Sequence, residues 1–142
     1  MPDNVLATFK QYAGAFEEAL DDNNWARIAP YFADHALYLP GDGRTVTGRD
    51  SIIDFLKDSV ESLDRKFDRR EFLGPPICQV AGEVVTMNFA INYAKEGLPD
   101  LKISGKEIAS FEAGLISRLE DQLDEDTRQR LPNWLEKYGG QR

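Results

Sequence analysis

The segment ISGKEIASFEAGLISRLEDQLDE, residues 103–125, alternates with a period of two on both sides of the turn Glu112-Ala113-Gly114. On the first arm Gly105, Glu107, Ala109 and Phe111 share one face. On the second arm Leu115, Ser117, Leu119, Asp121 and Leu123 share one face, and its leucines mark it as inward. Each inward face therefore carries one acid. With Phe111 opposite Leu115, the register puts Glu107 opposite Leu119 and Gly105 opposite Asp121. The two carboxyls become diagonal neighbours, roughly 7–8 Å apart at Cα. Two such groups away from water do not both ionise cheaply, because desolvation and mutual repulsion raise at least one pKa. An acid poised nearer neutrality suits general acid–base catalysis. Glu107 and Asp121 are therefore the candidate catalytic residues. Plainer arrangements fit the same residues. Asp121 solvated at a sheet edge, or paired with Arg118, Arg128 or Arg130, is one; Glu107 paired with Lys102 or Lys106 is another.

Other chemistry is scarce. The single histidine, His35, lies at a helix-to-strand junction and reads as a capping or packing residue, which argues against a histidine-based metal site. Cys78, the one cysteine, excludes an intramolecular disulfide and reads as packing; Trp25 and Trp134 read as anchors. There is no glycine-rich phosphate loop, Ser-His-Asp order or dinucleotide fingerprint, so neither a cofactor nor a metal is expected. A net charge of -8 argues against nucleic acid and against an anionic membrane surface as partners, since both need clustered Lys and Arg. No apolar run approaches the ~20 residues that span a bilayer, and MPDNVLATFKQ lacks the pattern of a signal peptide. A soluble cytoplasmic domain is expected.

The elements that must position the two acids follow from the periodicity. DNVLATFKQYAGAFEEALDDNN predicts a helix capped by Asp3 or Asn4, with Val5, Leu6, Phe9, Tyr12, Ala13, Phe16 and Leu20 on its apolar face. NWARIAPYFA predicts a short helix with Trp25, Ile28, Ala29 and Phe32 on one side. HALYLPGDGRTVTG predicts a strand followed by a turn at Pro40-Gly41-Asp42-Gly43. RDSIIDFLKDSVESLDRKF predicts a third helix, capped by Asp50 or Ser51, with Ile52, Ile53, Phe55, Leu56, Val60 and Leu63 inward. After Phe67 the period becomes two. FDRREFLGPPICQVAG is a strand broken near Gly74-Pro75-Pro76. EVVTMNFAINYAKEG is a strand with Val85, Met87, Phe89, Ile91 and Tyr93 on one face. LPNWLEKYGG suits a short terminal helix starting at Pro132 and ended by Gly139-Gly140. Helices first and strands second read as one α+β domain over 1–142, with its core at about 5–125 and a tail at 126–142.

Two stretches carry a family likeness. YFADHALYLPGDGRTVTGRDSI resembles the first strand and its flanks in the nuclear transport factor two-like superfamily. ISGKEIASFEAGLISRLEDQLD is similar to the closing hairpin of its SnoaL-like branch, where a G-x-[ED]-x-A/V-x-F-x-x-G-x-I-x-x-L pattern recurs. The resemblance implies a cystatin-like cone: a curved antiparallel sheet wrapped around three N-terminal helices, with a central pocket open at one end. Lining residues would be Val85, Met87, Phe89, Ile91, Tyr93, Ala109, Phe111, Leu119 and Leu123 beside Glu107 and Asp121, with Tyr12, Phe16 and Tyr38 facing them. In the ketosteroid isomerases of this superfamily the base aspartate would fall at Pro40, with Asp42 two residues along. The oxyanion tyrosine would fall at Phe16, one turn after Tyr12, and the second oxyanion acid at Glu107. One part in three matches, which argues against steroid isomerisation. In the SnoaL-type polyketide cyclases the acid/base aspartate lies on the last strand, and Asp121 occupies a matching position. The implied activity is cofactor-free acid–base chemistry on a small apolar carbonyl compound, by isomerisation, aldol cyclisation or dehydration. The alternative is a non-catalytic binding or dimeric domain. Convergence of the two acids with Tyr38 or Tyr12 would separate these. The outward residues Thr86, Asn88, Ala90, Asn92, Ser104, Ile108 and Ser110 form a weakly charged convex face, which relatives of this fold use to dimerise, so a homodimer is expected.

Overall fold

The computed structural model describes residues 4–41, 43–62 and 67–138. The alternative cap Asp3, the turn residue Asp42, the helix residue Leu63 and the terminal Gly139-Gly140 lie outside the described residues. Helix α1 (Val5–Asp22) starts where the Asn4 side chain accepts the Ala7 N–H at 3.1 Å, and stops at Asn23, which adopts a left-handed conformation. Its buried residues Val5, Phe9, Tyr12, Ala15 and Ala19 repeat every three or four positions. A 3-10 helix, Trp25–Tyr31, follows and includes Pro30. Phe32 does not continue it but opens β1 (Phe32–Leu39). Strand β2 (Val46–Thr47) leads to α2 (Arg49–Ser62), which begins slightly before the expected caps and buries Ile52, Leu56 and Val60.

The sheet contains β3 (Arg69–Phe72), β4 (Ile77–Ala81), β5 (Val84–Ala94), β6 (Leu101–Glu112) and β7 (Leu115–Leu123) besides β1 and β2. Its order is β2-β1-β7-β6-β5-β3, with β4 also on β5. β3 pairs with one end of β5 and β4 with the other, so the strand broken at residues 73–76 serves a single sheet edge. The sheet is mixed rather than wholly antiparallel: β1 runs parallel to β7. The chain leaves β1 for α2 and the β3–β6 meander before β7 returns alongside it, and that long excursion permits a parallel neighbour. The main core fills the space between the helices and the concave face, with Phe9, Ile28, Phe32, Ile52, Val85, Ile116 and Leu119 fully buried.

Four helical segments are present among the described residues, not three. The fourth, α3 (Glu125–Tyr138), starts seven residues before Pro132. Glu125 and Asp126 place negative charge at its N-terminal turn, which favours a start there. A helix start read from the first-turn preference of proline therefore misplaces the boundary: Pro132 lies inside the helix. This helix is part of the folded body rather than a tail. Thr127 is fully buried and its Oγ1 accepts the Ser104 N–H at 3.1 Å, while Trp134 Nε1 donates to the Pro99 carbonyl at 3.0 Å. Trp134 joins Ile91, Tyr93, Leu101 and Ile103 in a second core.

The β6–β7 hairpin decides where the acids point. Its turn is the two residues Ala113 and Gly114, both at positive φ, so Glu112 faces Leu115 and Phe111 faces Ile116. Ser110 then pairs with Arg118, leaving Ser117 as an extra residue whose hydroxyl donates to the Ser110 carbonyl at 3.1 Å. The bulge reverses the alternation. Before it, Ile116 is buried and Leu115 is 37% exposed, opposite to the simple reading; after it, Leu119, Asp121 and Leu123 share the concave side with Glu107.

Candidate active site

Between α1, α2, α3 and the concave sheet lies a cavity of about 440 Å³, within the range that accepts a small organic molecule. Tyr12, Phe16, Tyr38, Met87, Phe89, Ile91, Tyr93 and Leu123 are on its wall, together with Glu107 and Asp121. Phe111 and Leu119 are not. Like Val85 and Ala109, they are buried in the main core instead. Leu56 and Val60 of α2 and Leu131 of α3 complete the apolar wall.

Glu107 and Asp121 are directly opposite each other across the β6–β7 ladder, not diagonal. A directly opposed pair has Cα atoms about 4.5–5.5 Å apart, so the carboxyls are closer than the simple register allows. Two glycines make this possible. A Cβ at Gly105 would stand 2.3 Å from the Gln122 carbonyl oxygen, so only glycine lets β6 and β7 approach here. Gly41 has φ +96°, and a Cβ there would lie 2.7 Å from the Asp121 carbonyl oxygen, so the Pro40-Gly41 turn presses on the backbone of Asp121. Strand β1 supplies Tyr38, whose Cα partner on β7 is Leu119 and whose hydroxyl donates to Asp121 Oδ2. The Tyr38 ring is braced edge-on by Phe55, with centroids 5.6 Å apart.

Both acids are raised above the ordinary carboxylate range. Burial pushes Glu107 well above the usual carboxylate range, and the neighbouring charge and hydrogen bonding of Asp121 push the same way, with Glu17 adding to them. Burial raises Asp121 overall, with the Glu120 charge adding to it, although hydrogen bonds from Tyr38 and Glu107 oppose the rise. Asp121 Oδ1 is buried and has no standing donor among the described residues. A proton held between the two carboxyls would supply that donor. The acids are coupled and titrate as a pair, while Tyr38 holds the other oxygen of Asp121. Tyr12 and Tyr38 both stay protonated, raised well above the ordinary phenol value first by burial and then by these carboxylates.

Among the described residues, none of the expected Arg or Lys side chains pairs with Glu107 or Asp121. Arg118 lies 3.3 Å from Glu120, and Arg130 donates to the Lys102 carbonyl at 2.9 Å. Lys106 is exposed and sits opposite Gln122. His35 neither caps nor packs: its side chain is 75% exposed, 4.0 Å from the Glu112 carboxylate. Tyr12, rather than Phe16, is the helix residue whose hydroxyl feels both acids. Among the described residues no group of three or more His, Cys, Asp or Glu is placed to hold a metal ion, and no helix is long and apolar enough to cross a membrane.

Two charged wall residues, Arg70 and Glu17, escape the sequence reading. Arg70 on β3 pairs with Tyr93 on β5 and points inward; its Nη1 donates to Glu17 Oε1 at 2.7 Å and its Nε to the Tyr93 hydroxyl at 3.4 Å. The guanidinium also lies 5.4 Å from the Phe72 ring centroid. In sequence, Arg70 belongs to a charged run, Asp68-Arg69-Arg70-Glu71, inside the expected broken strand. The usable signal is parity: Arg70 and Phe72 share one face of β3.

This assembly of curved sheet and flanking helices has counterparts among solved structures. The fold is that of the SnoaL-like and nuclear transport factor two-like proteins. A protein from Shewanella denitrificans described as a SnoaL-like polyketide cyclase superposes with a TM-score of 0.65 over 90% of this chain and 96% of its own, at 18% identity. A nuclear transport factor two-like protein from Burkholderia xenovorans gives 0.66 over 90% and 95%, at 14% identity. TerC, co-crystallized with polyporic acid, gives 0.67 over 91% and 98%, at 13% identity. No family model and no curated protein matches the sequence.

Proposed function

We propose that the cavity is the active site of a cofactor-free acid–base enzyme of the SnoaL-like kind, acting on a small apolar carbonyl compound in the cytoplasm. The observation that carries this is the opposed Glu107–Asp121 pair on a cavity wall, with Tyr38 donating to Asp121. A purely structural site gains little from two buried carboxyls, since burial penalises them unless they are paired and used. The crystallisation of TerC with polyporic acid accords with an organic ligand in a cavity of this fold.

In this reading the Tyr38 hydroxyl holds the shared charge on Asp121 and leaves the proton on Glu107. Asp121, the anion, takes a proton from a carbon next to the substrate carbonyl. The C–H electron pair moves into the new C=C bond, and the carbonyl electrons move to oxygen. Glu107, the neutral acid, gives its proton or a strong hydrogen bond to that oxygen as charge develops there. Tyr38 holds Asp121 in place, and Tyr12 offers a second protonated hydroxyl nearby. The enol then has three outcomes open to it: reprotonation at another carbon, addition to a second carbonyl, or loss of a leaving group.

Hydrogen–deuterium exchange tests this without a known substrate. A panel of aryl ketones and β-diketones in D2O is followed by NMR. The protein is expected to speed exchange at the carbon next to the carbonyl, and Asp121→Asn to abolish that effect while leaving the fold intact. Exchange that is no faster with protein than without it, for every compound, would leave a binding protein instead.

A further inference from the structure

The acid pair is one of two polar centres in the cavity, and the second has a different construction. Among the described residues, Arg70 is the one cation lining the cavity; its side chain is only 19% exposed, and it is fixed by Tyr93 and Phe72. Its carboxylate partner Glu17 is 43% exposed and sits on α1 beside open solvent. The two halves of this ion pair are therefore unequal. Arg70 is held in the wall, whereas the Glu17 side chain already faces solvent over much of its surface. A planar guanidinium binds any carboxylate in the same forked geometry.

We propose that Arg70 is an anchor for an anionic oxygen group of the ligand, a carboxylate or its equivalent, and that Glu17 is a displaceable stand-in for that group. The ligand class is then an aromatic or otherwise rigid apolar acid, with its anion at Arg70 and its reacting carbonyl or hydroxyl at Glu107 and Asp121. Helix α1 gives the span. Tyr12 feels both acids and Glu17 meets Arg70; five residues of helix rise separate them, roughly 7–8 Å. A fused two-ring scaffold bridges that interval. The assignment rests on reading the cavity as a small-molecule site, and it does not require the catalytic step.

The probe is 6-hydroxynaphthalene-2-carboxylate, compared with its methyl ester, with binding followed by the naphthol fluorescence. The ratio of the two affinities within one protein is the readout, so a loss of folded protein changes both and leaves the ratio alone. The unmodified protein is expected to prefer the carboxylate by about tenfold or more. Arg70→Gln should bring the ratio to about one, and Arg70→Lys, which keeps charge without the fork, should fall between. Glu17→Gln should raise the ratio, because the competing carboxylate is gone. Asp121→Asn should retain the preference while losing deuterium exchange, which separates the anchor from the catalytic reading. Equal binding of acid and ester to the unmodified protein, no binding of the acid, a ratio unmoved in Arg70→Gln, or a ratio lowered in Glu17→Gln would each overturn the proposal.

Discussion

Glu107→Gln turns the buried acid pair into a measurable pH dependence of stability. Glutamine has the size of a protonated glutamate, and its amide can still donate to Asp121 Oδ1, the buried acceptor that lacks a standing donor among the described residues. The folded-state pKa of Glu107 lies well above its ordinary value because of burial first and Asp121 second. Below the ordinary carboxylate range the group is protonated in both folded and unfolded chains, and it contributes no pH dependence. Above that range the unfolded chain has released the proton while the folded chain retains it. The folded state then binds more protons, so stability falls as pH rises, until Glu107 ionises in the folded protein as well. One retained proton corresponds to a slope of about 1.4 kcal/mol per pH unit, or about 3 kcal/mol across two units. Glutamine has no such proton. Urea unfolding from pH 4 to pH 9 should therefore show the variant gaining on the unmodified protein as pH increases, with the two converging at the acid end. Parallel stability curves would mean that Glu107 titrates alike in both states, and the shared-proton arrangement would be wrong.

Tyr38→Phe removes the hydroxyl that donates to Asp121. A hydrogen bond to a charged group is worth about 1.5–3 kcal/mol, and that is the stability loss expected by denaturant titration where Asp121 is ionised. Because this bond holds the Asp121 pKa down, the pH profile of deuterium exchange should move to higher pH in the same variant. Gly105→Ala sets a Cβ 2.3 Å from the Gln122 carbonyl oxygen, so the ladder beside the acids must open; a loss of about 1–3 kcal/mol is expected in thermal or urea unfolding. Thr86, Asn88, Ala90, Asn92, Ser104, Ile108 and Ser110 remain partly covered and weakly charged on the convex face, and light scattering at micromolar concentration should give twice the mass of one chain. Ile108→Glu should return it to a monomer, and a monomeric unmodified protein would refute that expectation.

Hydrophobic period alone carries much of this architecture. The three N-terminal helical segments, the broken β3–β4 strand and the concave run of β5 all follow from apolar spacing, because each element buries a single face against the same core. Long-range choices are less legible. Nothing within residues 32–39 says that β1 will lie parallel to β7, since that pairing joins segments some eighty residues apart. The first half of helix α3 is hidden for a similar reason: a proline lies inside the helix and suggests a later start, and the helix is held by Trp134 and Thr127 docking on β6 and the loop before it. Arg70 is hidden because an inward guanidinium and a solvated one have the same letter, and only its partners on α1 and β5 distinguish them.

The bulge at Ser117 shows how narrow the margin is for the acids themselves. Ile116 and Asp121 are five positions apart, so an unbroken strand would send them to opposite faces. Ile116 is fully buried in the main core and Asp121 is on the cavity wall; both can be inward only if one residue between them is left out of the ladder. With Leu115 and Ile116 adjacent, hydrophobicity does not choose which of them enters the core. The two-residue turn at Ala113-Gly114 makes that choice by pairing Phe111 with Ile116. The extra residue then brings Asp121 level with Glu107, where the same turn without it would set Asp121 opposite Lys106. The opposed pair, on which the shared proton and the proposed chemistry depend, is thus a product of turn geometry and one unpaired serine more than of the acids' own neighbours in sequence.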